Sequence, residues 1–264
     1  MAQTHSGISV SRLFSNEYRG DGNRVEFRMR EFVGAVLAVL ALLGMSIGPV
    51  AVAEPGGAWF PVGAVIAGES PDQLGDWIVR YERLGGPDPV MVHRINEVID
   101  AEARGQVATY EPSATKTHPW TLDVNGALTF REITVSALFT GEYDTDLPNM
   151  PIHTVGTRVF DNRSGILIDW DNLFVDKSAG LARLSELTKT ILPTVYAPPR
   201  RPGVWQFGSE IAPVDDNFRF WIPTAGGIEL HFPDGQFGRG TAVITVPWAG
   251  VADLIAPEFA PITA

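Results

Sequence analysis

The sequence predicts an α+β domain of antiparallel-rich sheets packed with one long helix and shorter helices, following an N-terminal signal segment. Three observations predict it. Short alternating strands lie both before and after helical stretches. Only two stretches carry apolar residues at helical spacing over several turns. Turn residues punctuate the rest, with 27 Gly and 20 Pro in 264 residues.

Residues 54–75 are Gly- and Pro-rich in their first part and read as a loose N-terminal segment before a domain spanning 76–264. Trp77–Leu84 alternates as a strand. Gly85-Gly86-Pro87-Asp88-Pro89 breaks the chain. Val90–Ala103 then reads as a helix, with Val92, Ile95, Val98 and Ile99 on one face, Asp88 as cap and Gly105 as terminator. Trp120–Val124 and Ala127–Phe130 are expected to form a hairpin around Asn125-Gly126, a strong two-residue turn signal. Glu132–Tyr143 continues as a strand facing inward through Ile133, Val135, Ala137 and Phe139. After a polar loop at 144–151, Ile152–Phe160 and Ile166–Trp170 are strands joined by the turn 161–165. A short turn at 171–174, with Asp171 as cap, leads to a helix at 178–192. That helix carries Leu181, Leu184, Leu187 and Ile191 in its stripe and is capped by Asp176 or Ser178. Pro193–Pro202 holds four prolines and is irregular. Strands at 217–223, 227–232 and 240–247 follow, and 249–255 reads as a short closing helix.

The N-terminus reads as an address. Phe32–Ala53 contains no charged residue over 22 positions, with Arg28 and Arg30 before it, Gly48-Pro49 near its end and Ala51-Val52-Ala53 closing it. These are the parts of a secretory signal peptide, with cleavage expected between Ala53 and Glu54. Met29 directly precedes Arg30 and the apolar run, so it is the expected start, with 1–28 an upstream extension. The same run is also long enough for a retained anchor, since about 20 residues span a bilayer. Either way the domain is expected outside the cytoplasm.

Residues 54–264 hold 15 Lys+Arg and 27 Asp+Glu, a net charge of -12. That excludes a nucleic-acid partner, which needs a basic patch. The chain has no cysteine, so disulfides, thiolate metal sites and Cys nucleophiles are excluded. No G-x-S-x-G elbow occurs, and Ser164 reads as a turn residue. His93, His118, His153 and His231 are scattered, without the spacing of a metal site. The acidic pairs Asp144/Asp146, Asp169/Asp171 and Asp215/Asp216 lack the further ligands of a calcium loop and read as caps and solvated loops. Trp59, Phe60 and Trp205 lie in loop-like stretches and suit either a core edge or a protein or glycan partner. No catalytic, metal or cofactor residue is assigned.

The order of pieces resembles the extracytoplasmic domain of RsiV-type anti-sigma factors and the related mycobacterial secreted immunogenic antigens. Ile95-Asn96 on the first helix is like the family's "iN" helix, and Ile133–Tyr143 is like its "vS…f..y" strand. Asp161, Ser164-Gly165 and Asp171-Asn172-Leu173-Phe174 are similar to its "D..TG…l.dlF" step. The closing pattern is carried by 227–232, Gly240–Pro247 and Val251–Leu254. One departure is the family's Gly-Gly-Ala-His turn, for which 144–154 supplies only His153. The resemblance implies an extracytoplasmic α+β domain without a cofactor that binds a protein, lysozyme in RsiV-type members. A -12 domain would attract such a basic partner. The expected function is therefore a secreted or cell-envelope, non-enzymatic binding or antigen domain, whose partner is an extracellular protein or cell-wall glycan. The alternatives are a secreted serine esterase using Ser164 or Ser209, and a membrane-tethered sensor that contacts the membrane only through its apolar segment.

Overall fold

Apolar residues at alternate positions, as in Trp120, Leu122 and Val124 or Val135, Ala137 and Phe139, and at every fourth position in Ile95, Ile99, Ala103 and Val107 dictate the first layer of the fold. The computed structural model describes residues 58–199 and 203–264. A five-stranded sheet is built from β1 (Phe60–Glu69), β2 (Gly75–Gly85), β3 (Trp120–Phe130), β4 (Thr134–Thr145) and β5 (Ile152–Asp161), in that spatial order. All pairs are antiparallel except β2 and β3, which are parallel and joined by the crossover helix α1 (Pro89–Tyr110). α1 buries Ile95, Ile99, Ala103 and Val107 against Val79, Leu122, Val124, Val135 and Phe139. Asn96 is buried beside this stripe, and its amide exchanges two hydrogen bonds with the backbone of Leu84, at 2.7 and 2.9 Å. That locks the end of β2 to the helix.

The second layer consists of α2 (Trp170–Leu173), α3 (Lys177–Val195) and a sheet of β6 (Trp221–Pro223), β7 (Gly227–Phe232) and β8 (Ala242–Pro247). α3 buries Leu181, Leu184, Thr188 and Leu192 in a core with Leu230, Phe232, Ile244 and Val246. Trp170 stacks between Trp221, at 4.7 Å, and Phe174, at 5.5 Å, and donates its indole N–H to the Phe218 carbonyl. The C-terminal segment returns to this layer. Ala256 N–H bonds the Leu173 carbonyl, and Arg131 reaches the carbonyls of Ile262 and Ala264.

β6 packs over β4 and β5, and Trp221 N–H donates to Thr157 Oγ1 at 3.0 Å. Thr134, Ser136, Val155, Thr157 and Val159 are therefore buried on the face that turns away from α1. Over β1, β2 and β3 nothing described covers that face; β3 alternates buried with exposed along Trp120–Asn125, and β1 is half-buried at most.

Several expectations are corrected. Asn125-Gly126 is not a turn but the middle of β3. A Cβ on Gly126 would stand 2.6 Å from Phe139 Cε1 and 2.9 Å from Tyr81 Cβ, so the glycine is there to admit a buried ring. The expected loose segment contains β1, whose apolar residues pair with β2. α1 continues past Gly105 to Tyr110, because Gln106 and Val107 still bury and outweigh about 1 kcal/mol of glycine propensity. Residues 166–170 make one bridge, Phe160 to Leu167, rather than a strand. The cap of the following turn is Asp169, whose carboxylate accepts from the N–H groups of Asp171 and Asn172. Residues 215–218 form a 3-10 turn that leaves only Trp221–Pro223 as strand, and the closing segment is a series of 3-10 turns.

Candidate functional site

The open face of the five-stranded sheet arises from strand alternation. β1, β2, β3 and the last part of β4, beyond the reach of β6, send one set of side chains to the α1 side and the other to solvent. Glu69, Asp76, Asp123, Glu142 and Asp144 are exposed there, Glu82 is half-buried, and Arg80 is the one lysine or arginine among these floor positions. Arg80 Nη1 contacts Asp123 Oδ1 at 2.8 Å, with both side chains about half exposed. Such a pair is worth about 0.2–1 kcal/mol, so it positions more than it stabilises. Thr121, Asn125 and Thr140 add polar atoms, and Val65, Ala67 and Ala127 supply a small apolar strip. A concavity of about 550 Å³ lies between Arg80, Asp123, Thr140, Glu142 and His153.

His153 forms the rim where the second layer meets this floor. Asp234, in the loop between β7 and β8, accepts from the His153 backbone N–H and faces its ring Nδ1, both at 3.2 Å. Asp234 is itself fixed by the Gly240 N–H at 3.0 Å, and its side chain is only 12% exposed. Nδ1 thus faces Asp234 while Nε2 faces Glu142 at 3.5 Å, so a carboxylate stands on each side of the ring. An Asp–His pair is two thirds of a hydrolytic triad. Here Nε2 meets a carboxylate, and among the described residues no serine hydroxyl bonds any histidine. The arrangement can hold a cationic group between Glu142 and the Asp123 carboxylate.

The other candidates serve the fold. Ser164 Oγ accepts from Ile166 N–H within its turn, and the Ser164 carbonyl takes a guanidinium N–H from Arg94. Ser209 opens a 3-10 turn, and its carbonyl accepts from the Asn217 amide. His93 pairs with Glu97 one turn on, and His118 with Asp146 at 2.7 Å. His231 is buried, which lowers its pKa against the opposing effect of Glu229 at 2.9 Å. Asp171 and Asp215, from two of the acidic pairs, converge on Lys177 Nζ at 2.9 and 2.5 Å and hold the lysine charged well above its ordinary range. Trp205 stacks on Phe207 at 5.5 Å and donates its indole N–H to the Tyr196 carbonyl, so it covers a core edge. Phe60 lies in β1 and is 42% exposed. Among the described residues no cluster of His, Asp or Glu is placed to hold a metal ion. The expected cleavage pair Ala53 and Glu54, and the apolar segment before it, lie outside the described residues.

The His153–Asp234 contact links residues 81 apart and has no local signal in the sequence. The acidic floor was visible only as an excess of charge, because strand alternation assigns it a face only once the strands are correctly placed.

No protein-family model matches the chain, and no match to a curated protein is found. Among solved structures, a DUF3298 family protein from Pseudomonas aeruginosa PAO1 is similar at 11% identity and a TM-score of 0.44, covering 76% of this chain and 95% of that one.

Proposed function

We propose that this chain is a secreted or cell-envelope domain, without enzymatic activity, that binds a basic extracellular protein through the open acidic face of its five-stranded sheet. The observation that carries the reading is the uncovered floor. Five exposed carboxylates and one half-buried glutamate share the uncovered face with one arginine that is already paired, and Asp123 and Glu142 line its concavity. A partner rich in lysine and arginine would complete those carboxylates and be steered by the -12 charge of residues 54–264. The signal-like segment ending at Ala53 and the sequence resemblance to RsiV-type extracytoplasmic domains support the same reading, with lysozyme as the natural probe.

Calorimetric titration with lysozyme at low and at high ionic strength tests it. Binding is expected to weaken as salt rises, and Asp123→Lys with Glu142→Lys is expected to cost at least tenfold in affinity while melting is unchanged. No heat at either salt, or binding indifferent to both reversals, would sink the proposal. Localisation is tested separately, by N-terminal sequencing of the protein from culture medium and from membranes. A species beginning at Glu54 in the medium is expected. A membrane species that keeps Phe32–Ala53 would instead make the chain a tethered sensor.

A further inference from the structure

The outer edge of β1 is ten residues long, and among the described residues nothing pairs with it. Natural edge strands are blunted by charge, proline or a bulge, because an open row of N–H and C=O groups templates further strands. β1 carries Pro61 near its start and Glu69 at its end. From Val62 to Gly68 it has neither charge nor proline, in a domain where Asp and Glu far outnumber Lys and Arg. Its side chains are apolar on both faces, and Phe60, Val62 and Val65 are 42%, 44% and 60% exposed. The pairing of β1 with β2 runs one to one from Phe60 to Glu69, so no bulge interrupts the edge.

We propose that β1 pairs antiparallel with β1 of a second copy, joining two five-stranded sheets across a twofold axis near Ala64 and Val65. Three features select a second copy over another occupant. An uncharged strand that is apolar on both faces is best matched by one of the same kind, and β1 itself is such a strand. A twofold antiparallel pair satisfies the same backbone groups on each side. It also sets the two Glu69 carboxylates roughly 30 Å apart, at about 3.3 Å per residue, well beyond the screening length. Near the axis each copy brings Arg80 and Glu82 from β2, opposite Val65 and Gly63, so the charges there are mixed. The pairing leaves the acidic floor of each copy open and is independent of the basic-partner reading.

The salt response separates the two. Two copies of an acidic domain repel, so β1 pairing should tighten as salt rises, whereas a basic partner should loosen. Sedimentation velocity of the protein in the form the cell accumulates, across concentration and at two ionic strengths, tests it. A monomer–dimer equilibrium that favours dimer at high salt is expected. Val65→Lys and Val65→Glu are each expected to reduce association at least tenfold with melting unchanged. The lysine variant is the sharper one, because it lowers the net negative charge and would promote association by any route other than strand pairing. Hydrogen exchange should show slow outward amides in β1 only when dimer is present. A monomer at every concentration and salt would overturn the proposal. So would a dimer that tolerates both Val65 variants, or β1 amides already slow in the monomer, which would mean that the preceding chain covers the edge.

Discussion

Gly126→Ala should destabilise the protein, although replacing a glycine in mid-strand is ordinarily favourable by about 0.5–1 kcal/mol. The added methyl would lie 2.6 Å from Phe139 Cε1 and 2.9 Å from Tyr81 Cβ. The first neighbour is a ring with no exposure, and the second is anchored directly to a strand backbone, so neither yields freely. Overpacking of this kind costs about 1–3 kcal/mol. The central values leave a net loss of about 1 kcal/mol, equivalent to a fall in Tm of about 2–4 °C for a domain of this size. Phe139→Leu removes the obstructing edge. Its own cost reflects lost burial, but combined with Gly126→Ala the two changes should be less than additive by about 1 kcal/mol, since they share one space. Urea unfolding of wild type, both single variants and the double variant gives the coupling directly. If Gly126→Ala is neutral or stabilising, or if the two changes simply add, β3 does not pass beneath Phe139 as described, and the hairpin reading of Asn125-Gly126 regains its standing.

Other outcomes are expected of the same assays. His231 has its pKa lowered by burial, so the unfolded chain takes up its proton first; stability is full above the ordinary histidine range and falls as pH drops through it, a loss that His231→Gln should flatten in a pH series of urea midpoints. Burial alone would raise the Asp161 pKa, but the side-chain and backbone donors of Arg163 outweigh it and hold the carboxylate below its ordinary value. That contribution is present above the unfolded carboxylate range and is lost as pH falls below it, so Asp161→Asn should lower stability at neutral pH more than in acid. Asp88→Ala removes a cap that accepts from the N–H groups of Val90 and Met91, both at 3.0 Å, and should cost about 1 kcal/mol by thermal melting. Trp221→Ala vacates one side of the Trp170 stack and should cost about 3–5 kcal/mol by urea unfolding, whereas Trp205→Ala at the half-buried core edge should cost less.

The α+β class and the strands at 77–84, 152–160 and 227–232 were legible because each is a short run bounded by turn or loop residues. Asp88 and Asp176 were legible as caps because a short acceptor stands directly before an apolar stripe. The failures share a cause in tertiary contact. Asn125-Gly126 carries a turn signal locally, yet the space required by Phe139 decides it. Phe218 and Phe220 alternate like a strand, but the Phe218 side chain and carbonyl are taken by the aromatic core and the Trp170 indole, which stops the chain from extending before Trp221. Ile166 and Ile168 alternate too, with only Leu167 bridged, because Asp169 closes its capping box with Asn172 and starts α2. His153 and Asp234 meet through a loop whose path nothing local specifies.

The half-covered sheet has a physical logic that joins its two unsatisfied surfaces. Where β6 lies over β4 and β5, the face carries Ser136, Val155, Thr157 and Val159, which are small or apolar and can be buried. Farther along β4, and on β3 and β2, it carries Glu142, Asp123 and Asp76, and burying such carboxylates without partners would cost several kcal/mol each. The second layer therefore stops where the charges begin, and His153 with Asp234 marks the boundary. Beyond the charged strands, β1 returns to an uncharged pattern from Val62 to Gly68, at an edge that nothing among the described residues pairs. A surface kept merely soluble would place its charge at that edge, where strand addition threatens, and would have little use for a concave acidic floor behind it. The observed order is the reverse. It is the order expected if the floor is reserved for an ionic partner and the edge for a strand, and the opposite salt responses of the two associations make that division measurable.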